Sequence, residues 1–217
     1  MSQLATADRP VKHAAAPDAE ARRILAAAWA VLERSRFRSL KIRQLLAASD
    51  TSASHFYRHF RSKSHLLLAL LADETARADL RLSARLAELD SADDQLREWL
   101  AFTIRAVDDR RRAERVRLFL DQDLLEELPD EVHVLHDIMG KRLVEIIRRG
   151  NAQGCFHSAD PVVDGAMTEH LLRGLLANGL MGKLEGSAEE ALTAAHRFVS
   201  RALGGEPGSG RDGDVET

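Results

Sequence analysis

Apolar residues recur at helical spacing through most of the chain. Leu66 and Leu67, for example, are followed three or four residues later by Leu70 and Leu71, which places the four side chains on one helix face. Aromatic residues make up 5% of the chain and there are 5 prolines, a composition that favours helix over sheet. We therefore predict an all-α fold.

Breaks in this pattern divide the chain into four parts. We predict a flexible arm at 1–17, an N-terminal domain at 18–64, a larger helical domain at 65–203, and a disordered, Gly- and acid-rich tail at 204–217. A long helix, which Arg61-Ser62-Lys63 opens and which continues to about Leu89, joins the two domains. The later helices are predicted near 95–111, 113–125, 130–149 (with Gly150 as its stop), 161–183 and 188–203.

Residues 39–63 predict two short helices joined by a tight turn. The first helix runs from about Leu40 to Ala47 behind Ser39 as N-cap, and Ser49-Asp50 forms the turn. The second ends near Tyr57 and is too short to be stable alone, so Phe56 and Phe60 must hold it in a core. The side chains left facing outward are Thr51, Ser52, Ser54, His55, Tyr57 and His59. A small polar helix on a scaffold helix is typical of a helix-turn-helix DNA reader.

The charge distribution supports the same interpretation. The 18–66 segment has ten Lys or Arg against four Asp or Glu, a net +6, whereas residues 67–217 carry −10 and the whole chain −3. A basic N-terminal part beside an acidic remainder is expected when only the former meets a polyanion.

The stretches ARRILAAAWAVLERSRF, LKIRQLLAASD and TSASHFYRHFRSKSHLLLALL, spanning residues 21–71, resemble the DNA-binding domain of the TetR family of bacterial transcriptional repressors. The Phe56-Tyr57-x-x-Phe60-x-x-Lys63 pattern is the most specific part. The resemblance implies a three-helix DNA-binding domain, a ligand-sensing helical domain and a homodimer. The expected DNA-binding residues, from the segment and the resemblance together, are Lys41, Arg43, Thr51, Ser52, Ser54, His55, Tyr57, His59 and Lys63.

The segment departs from the family pattern in ways that affect DNA reading. Asp50 stands where the family has Gly, and aspartate tolerates the left-handed backbone such a turn requires. Ala53 and Ser54 replace a common Lys-Gly pair, and His55 replaces a common Thr. The operator sequence is therefore not transferable from a relative.

In the acidic part, apolar and histidine side chains on several helices predict a pocket for a small-molecule effector, with no cofactor. The candidates are Trp99, Phe102, Phe119, His136, Met139, Met167 and His170. His133 and His136, three residues apart, offer the alternative of a metal site completed by His170 or Asp137.

The last two predicted helices are more apolar than one buried face needs. We predict that they pair with the same two helices of a second subunit to form a four-helix dimer interface. The residues assigned to this dimer surface are Leu171, Leu175, Leu192, Phe198 and Val199.

Motif searches argue against an enzyme, because the chain has no phosphate-binding loop, nucleophile elbow or zinc motif. No membrane span or secretory signal is evident, and the single Cys155 favours a reducing cytoplasm. The sequence thus predicts a homodimeric repressor that a small molecule releases from a pseudo-palindromic operator. The alternative, raised by Asp50 and Ala53, is an adaptor of the same fold that has lost specific DNA reading.

Overall fold

The computed structural model describes residues 18–32, 41–107, 110–119, 122–184 and 186–205, and every regular element in these ranges is helical. The all-α prediction is confirmed. The helices are α1 Ala19–Leu32, α2 Ile42–Ser49, α3 Ala53–His59, α4 Lys63–Leu86, α5 Ala92–Ile104, a 3-10 turn Arg105–Val107, α6 Arg110–Phe119, α7 Gln122–Glu127, α8 Pro129–Gln153, α9 Pro161–Leu180 and α10 Ala188–Ala202.

The chain divides into two compact units, Met1–Arg61 and Ser62–Thr217. In the first unit α1 packs against α2, and Ile24, Leu45 and Phe56 are fully buried. The expected N-cap Ser39 and the first predicted residue of α2, Leu40, lie outside the described residues, as do the predicted arm and most of the tail.

In the second unit α5 is the central helix and packs against α4, α8, α9 and α10. Trp99, Leu100, Leu143 and Ile147 form part of its core. None of the described helices is long and apolar enough to span a bilayer.

Helix α5 begins three residues before its predicted start at Gln95, because Ser91 is a strong N-cap. The Ser91 hydroxyl accepts a hydrogen bond from the Asp94 backbone N–H at 3.3 Å. Asp93 and Asp94 lie in the first turn, where the helix dipole favours negative charge.

Helix α8 does not stop at Gly150 as predicted. It continues to Gln153 and ends at Gly154, whose φ of 74° is the left-handed conformation of a glycine C-cap. Gly150 lies inside the helix. The residue is a glycine because the ring of Phe156 occupies the space that a Cβ would fill. A packing requirement, rather than a helix stop, accounts for the glycine.

Helix α10 turns two of the predicted dimer residues inward. Leu192 and Val199 are 0% and 2% exposed and belong to the core of the subunit. Their assignment to a subunit surface is wrong, since both side chains face α10's neighbours within the chain.

Candidate nucleic-acid interface and ligand cavity

The turn between α2 and α3 is built as the sequence predicted. Asp50 has φ 48° and ψ 49°, the left-handed conformation, and the Thr51 N–H donates to the Leu46 carbonyl at 3.1 Å. The Ser49 hydroxyl donates to the Leu45 carbonyl at 2.8 Å, which caps the end of α2 from inside. The tight turn fixes the direction in which α3 leaves the scaffold helix.

Helix α3 separates its aromatic side chains by face. Phe56 and Phe60 are 0% and 6% exposed, and their ring centroids lie 5.6 Å apart. Tyr57 is 53% exposed and meets Phe56 edge-on. The Ser52 hydroxyl caps the helix by accepting from the His55 N–H at 3.2 Å. Burial of the phenylalanines thus presents the polar face of α3 to solvent.

Most of the predicted DNA-contacting side chains of the first unit are exposed: Lys41, Arg43, Ser52, Ser54, His55 and Tyr57. Thr51 is a correction, because it is buried and its hydroxyl donates to the Ser49 carbonyl at 3.1 Å. His59 is only partly exposed. Lys63 is the first residue of α4 and belongs to the second unit.

Glu20 on α1 is a site residue that the sequence interpretation missed. Its carboxylate contacts His55 Nδ1 at 2.8 Å and His59 Nε2 at 3.2 Å. The hydrogen bond from His59 is the main reason that the pKa of Glu20 is lowered. Asp18 lies 3.9 Å from His59 Nδ1, and the hydrogen bond that Asp18 accepts from the Ala21 N–H lowers its pKa. The sequence signal was two histidines one helical turn apart on α3.

A cavity of about 200 Å³ lies within the second unit. It brings together four of the predicted ligand residues, Trp99, Phe102, His136 and Met139. The Trp99 indole N–H donates to the Met139 carbonyl at 3.2 Å, which fixes the orientation of the indole in the wall. The other lining residues are Glu74, Thr75, Ala78, Arg81, Thr103, Ala106, Arg112, Arg115, Val116, Leu135, Glu169, Leu172, Arg173 and Leu176.

Several polar side chains line the cavity. Glu74 of α4 bonds to Arg81 at 3.0 Å and to Arg115 of α6 at 2.7 Å. The buried Thr75 hydroxyl has no hydrogen-bond partner among the described residues. Burial is the main cause of the raised pKa of Glu169. The sequence interpretation had not identified Glu74, Thr75 or Arg115 as lining residues.

The remaining predicted ligand residues are elsewhere. Met167 is 64% exposed, and His170 is an exposed residue whose Nδ1 lies 2.6 Å from the Ala166 carbonyl of its own helix. The Phe119 side chain lies outside the described part of the structure. His133 contacts Asp137 at 3.6 Å, and within the described residues no group of three metal-ligating side chains converges.

The other predicted dimer residues differ in exposure. Phe198 is 63% exposed, while Leu171 and Leu175 are partly buried against the core. Met167 adds a further exposed apolar side chain to α9. Exposed apolar residues are therefore present on both α9 and α10.

Asp93, His196 and Ser200 form a polar cluster at the start of α5, but not a catalytic relay. His196 Nε2 and the Ser200 hydroxyl both contact the same Asp93 oxygen, at 3.0 and 3.1 Å. In a relay the carboxylate and the hydroxyl meet opposite ring nitrogens. The cluster instead ties α10 to α5.

The comparisons with known proteins agree with this architecture. Residues 24–70 match the family model of bacterial regulatory proteins, tetR family. No curated protein matches the chain. The fold is similar to the transcriptional regulator FadR from Bacillus subtilis in complex with stearoyl-CoA, with a TM-score of 0.71 and 14% identity over 82% of this chain and 97% of that one.

Two further solved structures have the same fold. One is a regulatory protein of the tetR family from Rhodococcus RHA1, with a TM-score of 0.63 and 21% identity over 88% of this chain and 100% of that one. The other is RolR in complex with resorcinol, with a TM-score of 0.63 and 18% identity over 87% of this chain and 89% of that one. At these identities the similarity shows the fold alone.

The all-helical fold with its helix-turn-helix segment is a transcriptional-regulator fold. The match of residues 24–70 to the family model of bacterial regulatory proteins, tetR family, confirms the resemblance found in the sequence. The family consists of regulatory proteins rather than enzymes.

Proposed function

We propose that this protein is a homodimeric transcriptional repressor that a small molecule releases from a pseudo-palindromic operator. The observation that carries the proposal is the division of α3 into two faces. Phe56 anchors the helix in the core, whereas Ser54, His55 and Tyr57 are exposed. A helix anchored on one side and polar on the other can enter the major groove.

The DNA contacts divide into those that hold the backbone and those that read bases. Tyr57, His59 and Lys63 are assigned to phosphates. Ser54 and His55, exposed on α3, are assigned to base edges, together with the N-capping Ser52. Lys41 and Arg43, exposed at the start of α2, are assigned to the DNA backbone as positive charges.

We assign the dimer interface to α9 and α10. Phe198 and Met167 are large apolar side chains with more than half of their surface exposed, and Leu171 and Leu175 extend the apolar surface of α9. Pairing with a symmetry mate would bury them and set the spacing of two DNA-reading helices.

We assign the effector to the cavity of the second unit. Its volume of about 200 Å³ slightly exceeds the roughly 150 Å³ of an apolar cavity that binds benzene. A ligand on the scale of one substituted aromatic ring, such as the resorcinol bound by RolR, fits that volume. A long-chain acyl-CoA, as bound by the Bacillus subtilis regulator, would require the cavity to widen.

Helix α4 connects the two activities along the chain. Glu74, Thr75 and Arg81 of α4 line the cavity, and three residues separate the start of α4 from the end of α3. An effector that binds one position of α4 better than another would change the separation of the two readers in the dimer. Operator affinity that stays unchanged at saturating effector would refute this coupling.

The DNA-binding assignment is tested by salt dependence. Lys63→Ala should weaken binding to a duplex and reduce the slope of log affinity against log salt by about one. Lys183→Ala is the matched control, because Lys183 is an exposed lysine outside the proposed interface, and should change neither quantity. Equal slopes for the two variants would exclude a phosphate contact at Lys63.

Ligand binding can be followed by fluorescence. The chain has two tryptophans, so Trp29→Phe leaves Trp99 in the cavity wall as the reporter. Single-ring phenols should quench Trp99 fluorescence at lower concentrations than stearoyl-CoA does in separate titrations. Quenching by stearoyl-CoA alone would contradict the size argument.

A further inference from the structure

The two histidines of α3 are held by one carboxylate of α1. Glu20 Oε1 lies 2.8 Å from His55 Nδ1 and Glu20 Oε2 lies 3.2 Å from His59 Nε2. The Glu20 and His59 side chains are 23% and 15% exposed, and that of His55 is 48% exposed. One side of the His55 ring is therefore bound to α1, while the ring remains accessible on the exposed face of α3.

This contact determines which nitrogen of His55 carries the proton. An ionised carboxylate only accepts hydrogen bonds, so Nδ1 of His55 must be the donor to Glu20. In the neutral ring the other nitrogen, Nε2, is then an acceptor. When the ring is protonated, Nε2 becomes an N–H donor while Nδ1 keeps its bond to Glu20.

The charged and titratable groups of this cluster come from two helices and the residue before the first of them. Asp18 directly precedes α1, and Glu20 and Arg22 lie on α1, where Arg22 Nε donates to the Asp18 carbonyl at 3.4 Å; His55 and His59 lie on α3. Among the described residues, α2 contributes no side chain to these ion pairs. The pKa of Glu20 lies below its ordinary value, so Glu20 stays ionised over the pH range in which histidines change charge. Its stabilising effect is present above the unfolded-state pKa and is lost only as pH falls through the lower, folded value.

We propose that Glu20 is a specificity-determining positioning residue, which fixes the tautomer of His55 so that the base read by His55 Nε2 depends on pH. The inference rests on the proposed DNA-binding function. In the major groove, an acceptor at Nε2 matches the amino groups of cytosine and adenine. A donor at Nε2 matches N7 and O6 of guanine, O4 of thymine and N7 of adenine. The preferred base at one operator position changes from cytosine in mild base to guanine or thymine in mild acid, because adenine offers both a donor and an acceptor and suits either state.

The test is selection of bound sequences from random duplex DNA by the full chain at about pH 6 and about pH 8. The wild-type protein should change its base preference at one position of each half-site by about fivefold to tenfold, the range expected for one hydrogen bond to a base. His55→Gln should show the same preference at both pH values. Glu20→Ala should weaken the pH-dependent change.

Two controls separate positioning from a loss of fold. Thermal unfolding of each variant shows whether α3 remains folded under the selection conditions. In the wild-type protein without DNA, ¹⁵N NMR of the imidazole nitrogens should find neutral His55 protonated at Nδ1. Finding the proton of neutral His55 at Nε2 would overturn the inference.

The selection also distinguishes this inference from the function on which it rests. An enriched sequence whose base preference does not change with pH, or a change that persists in His55→Gln, would overturn the inference and leave the DNA-binding proposal intact. Sequence-blind binding at both pH values would overturn both.

Discussion

Substitution of the neighbouring residues Phe56 and Tyr57 should have different effects: the first should reduce stability and the second should reduce only DNA affinity. Phe56 is fully buried in a helix of seven residues, far below the length that is stable alone. Phe56→Ala removes a complete aromatic ring from that core, a change that costs about 3–5 kcal/mol. Small domains have total stabilities of about 5–15 kcal/mol, so α3 should open and DNA binding should be lost.

Tyr57→Phe is the matched control because it changes one exposed atom. Tyr57 is 53% exposed, and removing the hydroxyl should change the free energy of unfolding by less than about 0.5 kcal/mol. The lost hydrogen bond to a charged phosphate, worth about 1.5–3 kcal/mol, should weaken DNA binding by roughly tenfold or more.

Three measurements distinguish the two outcomes. Urea unfolding gives the stability change, hydrogen exchange of the α3 peptide reports local opening, and fluorescence anisotropy gives the affinity for a labelled duplex. In Phe56→Ala, exchange should accelerate in α3 and remain slow in the core helices of the second unit. If Phe56→Ala costs less than about 1 kcal/mol, or Tyr57→Phe destabilises equally, the two-face account of α3 is incorrect.

Three further predictions concern the second unit. Gly150→Ala should lower the free energy of unfolding by about 1–3 kcal/mol in urea titrations, because the new methyl group meets a buried aromatic ring; unchanged stability would refute the packing role. Phe198→Glu should weaken self-association in sedimentation velocity, whereas Leu80→Glu, on an exposed leucine of α4, should not; equal effects would refute the proposed dimer surface. Asp93 has a lowered pKa, mainly because of its hydrogen bond with His196. Its stabilising effect should therefore be present above its ordinary pKa of 3.8 and lost as pH falls further, so wild type and Asp93→Asn should differ in thermal unfolding at neutral pH and converge in acid.

The fold could be predicted from the sequence wherever interactions between nearby residues determine it. Helical periodicity identified the all-α class, and the separation of Phe56 from Tyr57 follows from spacing along one helix. The left-handed Asp50 was expected because aspartate replaces a glycine in the turn. The end of α8 was misplaced because the reason for Gly150 is the ring of Phe156, which packs back on the helix after a loop.

The site could be predicted less completely than the fold, because its key contacts join residues that are far apart in the sequence. Glu20 meets His55 and His59 across 35 and 39 residues, and no periodicity relates them. Periodicity shows that α10 has an apolar stripe but does not show what covers it. For that reason Leu192 and Phe198 were grouped together, although one is buried in the subunit and the other is exposed.

The most direct test of the central claim is the sequence selected by the purified chain from random duplex DNA at a fixed salt concentration. A homodimeric reader predicts an enriched pseudo-palindrome whose half-sites lie about one helical turn apart or more, near 10 base pairs between centres. Addition of a ligand that quenches Trp99 should release the protein from that sequence. Binding that is sequence-blind, or no binding, would contradict the account and favour an adaptor that retains the fold without reading DNA.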